Sequence, residues 1–131
     1  MTVLIVEDNE GVRRVLRRIL LAELSSIWEC ADGACGVAAY QNHHPDIVLM
    51  DISMPVMDGL EATRCIRALD PSACIVVLTD YDDGDLCEAA VQAGASAYAL
   101  KQDMESLPSL LSAMTARCRS KGLGGTTRCC V

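Results

Sequence analysis

The stretch PDIVLMDISMPVMDGLEATRCIR, residues 45–67, spells out one complete structural unit. Its apolar run, Asp46–Met50, suits a short strand buried on both faces. The run stops at a single acid, Asp51. After a loop containing Met54-Pro55, Asp58 and Glu61 stand at capping-box spacing, and Leu60, Cys65 and Ile66 follow at helical spacing. The unit therefore reads as a buried strand, an acid at its carboxyl end, and a helix.

The same unit recurs on both sides. Four more apolar runs stand at Val3–Val6, Ser26–Ala31, Cys74–Thr79 and Ala95–Leu100. Helical spacing separates them. Val12, Val15, Leu16, Ile19 and Leu20 share one face beside Arg13, Arg14, Arg17 and Arg18. Further helices are predicted over 34–42, over 85–93 with Gly94 as C-cap, and over 104–119. Strand and helix alternate five times, with no internal repeat. That order predicts an α/β fold: a doubly wound, five-stranded parallel sheet with helices on both faces and right-handed crossovers. Residues 1–121 form the predicted domain. The Gly-rich GLGGTTRCCV from Gly122 reads as a flexible tail or the start of a linker.

Composition narrows the function. A chain of 131 residues, 51% hydrophobic and 22% charged, has enough apolar content for one globular core. A formal net charge of −7 argues against direct binding of nucleic acid. No apolar stretch is long enough to span a bilayer, and no signal-peptide layout precedes the first strand, so a cytoplasmic location is expected. The eight cysteines form no C-x-x-C pair and read as reduced thiols acting mostly as small hydrophobes. His43 and His44 fall together in a predicted loop before Pro45 and suggest no metal site.

Chemistry gathers where the strands end. Glu7-Asp8 follows strand one, Asp51 strand three, Thr79 strand four and Lys101 strand five. In doubly wound sheets these carboxyl ends share one edge, where ligands bind. Three carboxylates in one cleft repel each other. A hard divalent cation, Mg²⁺ above all, offsets that repulsion. A carboxylate not fully used by the metal can accept a phosphoryl group, with Lys101 and Thr79 to stabilise its oxygens. A plain surface salt-bridge network is the competing reading, but three acids against one base neutralise poorly.

The stretches LIVEDNEGVRRVL (4–16), the quoted 45–67, IVVLTDYDD (75–83) and AGASAYALK (93–101) resemble the receiver domain of two-component response regulators. The resemblance is greatest to receivers that precede a helix-turn-helix DNA-binding domain. It implies a flavodoxin-like fold with strand order 2-1-3-4-5. It also implies Asp51 as the phosphorylated aspartate, Asp8 as a direct Mg²⁺ ligand, Glu7 as an acid reaching the metal through water, and Ser53 as a ligand through its carbonyl. Thr79 and Tyr98 match the switch pair, and Lys101 the lysine of the motif. The implied donor is a sensor histidine kinase or phosphotransfer protein. A homodimer, a role in transcription regulation and enzymatic activity limited to self-phosphorylation and self-dephosphorylation belong to the same expectation.

Two residues depart from the family pattern: Gln102 stands where proline often follows the lysine, and acidic Asp80 follows Thr79. The Lys101-Gln102 bond is expected to be trans, since a non-proline cis bond costs about 2.5–4 kcal/mol. The alternative function is a phosphorylation-independent interaction module. A hydrolase working through an aspartyl phosphate is disfavoured, because Ser53 stands where such enzymes usually place a second acid.

Overall fold

A computed structural model describes residues 1–21, 26–52, 54, 57–80, 83–121 and 129–130, with side chains to Met114. The elements are β1 (Thr2–Val6), α1 (Glu10–Leu20), β2 (Ser26–Cys30), α2 (Gly33–His43), β3 (Ile47–Asp51), α3 (Gly59–Leu69), β4 (Ile75–Thr79), α4 (Gly84–Ala93) and β5 (Ala97–Leu100). A 3-10 helix (Lys101–Ser106), α5 (Leu107–Lys121) and the two-residue β6 (Cys129–Cys130) follow among the described residues. The sheet order is β2-β1-β3-β4-β5-β6 and every pairing is parallel. The five-stranded 2-1-3-4-5 core matches expectation. β6 is an addition: Ala97 and Tyr98 pair with Cys129 and Cys130, so part of the expected tail extends the sheet. Gly122–Arg128 lie outside the described residues.

The period-two alternation of the central strands divides the core in two. Val3, Ile5, Ile47, Leu49, Val76 and Leu78 pack on Leu16 and Leu20 of α1 and on Leu107 and Leu111 of α5. Leu4, Val6, Val48, Met50 and Ile75 point the other way, onto Tyr40 of α2 and Ala62 and Ile66 of α3. Both faces of β1, β3 and β4 are thus covered, which is why these strands read as unbroken apolar runs.

Helix starts follow local chemistry. Asn9, Asp32, Asp58 and Asp83 each accept a backbone N–H of the following first turn, from Val12, Cys35, Glu61 and Asp85. Gly94 closes α4 at φ 108°, as a left-handed C-cap should. Strand and helix ends shift by a residue or two, and two readings change more. The predicted 104–119 helix is split, because Pro108 has no N–H to donate to Met104; that turn stays 3-10 and the α-helix begins at Leu107. His43 belongs to α2 rather than to a loop, and its ring stacks on Trp28 with centroids 4.4 Å apart.

Gly59 marks the tightest approach. A Cβ there would overlap the Asp51 carbonyl and lie 2.8 Å from Ile52 Cα, both backbone. Gly84, also at the start of a helix, has open space around it. Gly59→Ala should therefore cost about 3 kcal/mol, while Gly84→Ala is neutral or slightly stabilising. Urea unfolding of the two variants checks the contrast, and equal midpoints would contradict it.

Candidate functional site

Register alone assembles the site. Val6 pairs with Met50, so the next residues along, Glu7 and Asp51, come side by side. Asp51 pairs with Leu78, which places Thr79 one step beyond it, and Thr79 pairs with Leu100, the residue before Lys101. Four strand ends thus bring an acid pair, an acid, a hydroxyl and an amine to one edge. The carboxylate oxygens of Glu7, Asp8 and Asp51 all lie within 4.8 Å of one another. Lys101 Nζ sits 2.8 Å from Glu7 Oε1 and 2.9 Å from Asp51 Oδ1.

Burial gives these contacts their force. Glu7, Asp51 and Thr79 are buried, Lys101 nearly so, and Asp8 faces solvent. Burial, then hydrogen bonding to Asp51 and the charge of that neighbour, pushes the Glu7 carboxyl up to about 7 against the pull of Lys101. Burial works against the Lys101 charge too, but hydrogen bonds to Glu7 and Asp51 outweigh it and hold its pKa above the usual lysine value. Glu7 Oε1 lies 2.8 Å from the Lys101 ammonium, in a geometry too poorly directed to use all of its acceptor capacity. A buried oxygen with unused acceptor capacity, inside an all-oxygen donor set, fits a hard divalent cation.

The other expected residues fall as follows. Tyr98 is half-buried on β5, against the small cluster of Val77, Ala90 and Ala95, with Ile52 and Leu60 nearby. Ser53 lies outside the described residues. Asp80 is exposed, and no cis peptide occurs among the described residues, Lys101-Gln102 included.

A family model described as the response regulator receiver domain matches residues 3–112. The chain belongs to that family. This receiver is 38% identical over 113 residues to the chemotaxis protein CheY of Halobacterium salinarum, covering 86% of this chain and 92% of that one. It is 41% identical over 103 residues to the transcriptional regulatory protein LiaR of Bacillus subtilis, covering 76% of this chain. The match takes in 48% of LiaR, so the receiver spans about half of that relative. Among solved structures, a LuxR-family two-component response regulator from Aurantimonas sp. SI85-9A1 superposes with a TM-score of 0.84 at 30% identity, over 99% of this chain and 88% of that one.

Sequence reasoning missed how the receiver uses its arginines. Arg13 and Arg17 both pair with Glu29 of β2, at 3.2 and 2.6 Å, and Arg13 also donates to the Glu7 carbonyl at 2.6 Å. Arg14 and Arg18 are the exposed pair, with Arg14 at 3.9 Å from Glu10. The signal lay in Glu29, a charge inside a strand run, but its partner is set by how α1 crosses β2, which no spacing in the sequence encodes.

The raised Glu7 pKa fixes a sign. The folded state holds this proton more tightly than the unfolded chain, whose carboxyl titrates near 4.5. The associated stability is complete below that value and is lost as pH rises through about 7. Without divalent cations, Glu7→Gln should therefore raise Tm more at pH 8 than at pH 5, by up to ~3 kcal/mol in equivalent stability. Thermal melts of both proteins across that range decide it; a pH-independent difference would mean the raised group is elsewhere.

Proposed function

We propose that this receiver is a phosphoacceptor switch, with residues 1–121 as the working unit and residues 122–131 as a tail or linker start that adds Cys129 and Cys130 to the sheet edge. The reading rests on one observation above all: Lys101 bridges Glu7 and Asp51 at the edge where Asp8 also sits. An Asp51 oxygen attacks phosphorus, the bond to the donor breaks, and its electron pair leaves with the donor nitrogen or oxygen. The product is an acyl phosphate on Asp51. Lys101, kept charged, neutralises a phosphoryl oxygen, and the Thr79 hydroxyl donates to another. Mg²⁺ would be held by Asp8 and Asp51, by Glu7 through water and by the Ser53 carbonyl; when bound it supplies the positive charge that lets a phosphoryl dianion approach three acids. Movement of Thr79 toward the phosphoryl group frees room for Tyr98 to turn inward, which changes the surface of α4 and β5.

The proposed donor is a sensor histidine kinase or phosphotransfer protein, and the proposed location is the cytoplasm. No helix among the described residues is long and apolar enough to cross a membrane. Likeness to LiaR, named as a transcriptional regulatory protein, supports transcription regulation as the output, through a partner domain or a homodimer rather than through direct DNA contact by this acidic unit.

Acetyl phosphate with Mg²⁺ should add one phosphoryl group to the protein, and Asp51→Asn should abolish the addition. Intact mass reads both, and labelling that survives in the variant would remove Asp51 from the role. Arg14 and Arg18 are exposed on α1, the helix that follows the Glu7-Asp8 pair, and would steer an acidic donor surface. Arg14→Glu with Arg18→Glu should slow phosphotransfer from the cognate kinase roughly tenfold at low salt and leave acetyl phosphate labelling unchanged. If both reactions slow alike, α1 itself is damaged and steering is not the cause.

A further inference from the structure

Cys30 ends β2 and Cys35 lies in the first turn of α2, and their Sγ atoms are 2.6 Å apart. Both are free thiols, Cys30 buried and Cys35 exposed. A disulfide bond is about 2.05 Å long, so the two sulfurs already face each other and need move only slightly to join. Their surroundings give such a bond consequences. The Cys30 carbonyl accepts the Glu7 N–H at 2.9 Å, and Gly33, between the cysteines, donates its N–H to the Met57 carbonyl at 3.2 Å in the loop after Asp51. The Cys35 N–H is held by the Asp32 side chain at 2.8 Å. The β2–α2 turn therefore touches both the strand end that carries the acid pair and the loop that follows the acceptor strand.

We propose that Cys30 and Cys35 form a reversible disulfide, a modification site that sets the stiffness of the β2–α2 turn beside the acidic cluster. The oxidant class is a peroxide. The exposed Cys35 thiolate attacks one peroxide oxygen, the O–O bond breaks, and Cys35 becomes a sulfenic acid as hydroxide leaves. The Cys30 sulfur then attacks Cys35 sulfur, its proton goes to the departing hydroxyl, and water leaves. Two thiols and one hydrogen peroxide give one disulfide and two waters. A dithiol reductant reverses the bond by exchange. Closing it joins residues five apart, so the turn between them loses its freedom to open.

The test treats the 131-residue chain with hydrogen peroxide, alkylates the remaining thiols, and cleaves before Asp32, between the two cysteines. The expected product is the two flanking peptides joined by one bond, absent after dithiothreitol, absent in Cys35→Ser and retained in Cys65→Ser. Amide exchange at Gly33, Cys35 and Gly36 should slow by about threefold or more in the oxidised form. Alkylation of both Cys30 and Cys35 after peroxide, or linkage of Cys35 to another cysteine or another chain, overturns the pair. Unchanged exchange in a correctly linked protein overturns the stiffening. Neither readout depends on phosphorylation, so failure of the phosphoacceptor reading would show separately, as absent labelling of Asp51.

Discussion

One ammonium group holds the working edge of this molecule together. Lys101 reaches Glu7 and Asp51 at once, where strand register has put two buried carboxylates side by side with a third at their rim. Without a counter-charge, such a cluster would force at least one acid to remain protonated. The partly resolved conflict is visible in Glu7, whose proton is retained to about pH 7 even with the lysine present. The negative charge that Lys101 leaves unbalanced is what an added cation would offset.

The fold serves this edge by rigidity. Parallel strands buried on both faces cannot slip in register without exposing a whole row of side chains, so Glu7, Asp51, Thr79 and Lys101 hold their relative positions. Gly59 adds a second constraint: α3 starts against the backbone of Asp51 and Ile52, and no side chain fits between. Asp51 is thus fixed by its own strand and by the helix that follows it, while Tyr98 sits half-buried on β5, near the sheet edge.

Much of this was legible in the sequence because it depends on period and position. Apolar runs ending in Glu7-Asp8, Asp51, Thr79 and Lys101 could be aligned once a parallel sheet was inferred, and Asp58 and Gly94 announced their caps. What stayed hidden depends on how elements cross in space. The Glu29 pairing with Arg13 and Arg17 joins a strand to a helix across a packing interface, and the approach of Cys30 to Cys35 arises from a tight turn that a C-x-x-C template does not match. The split before α5 was readable in principle from Pro108, but helical periodicity over 104–119 masked it. β6 pairs two residues from a segment whose composition suggested a tail, an outcome of available strand edge rather than of local propensity.

The arrangement of α1 has an evolutionary consequence. Two of its four arginines are committed to the protein's own framework, Arg13 and Arg17 through Glu29 and Arg13 also through the Glu7 carbonyl, and two project outward from the same helix turns. A change at Arg13 strikes the Glu29 pairing and the Glu7 backbone together, and a change at Arg17 strikes the Glu29 pairing. Changes at Arg14 or Arg18 alter exposed charge and, at Arg14, the 3.9 Å approach to Glu10. Given the donor docking proposed for this face, a duplicated copy of this gene could drift toward a new donor by substitution at the outer pair while its fold stays intact, and insulation between parallel signalling routes would arise from a few surface charges.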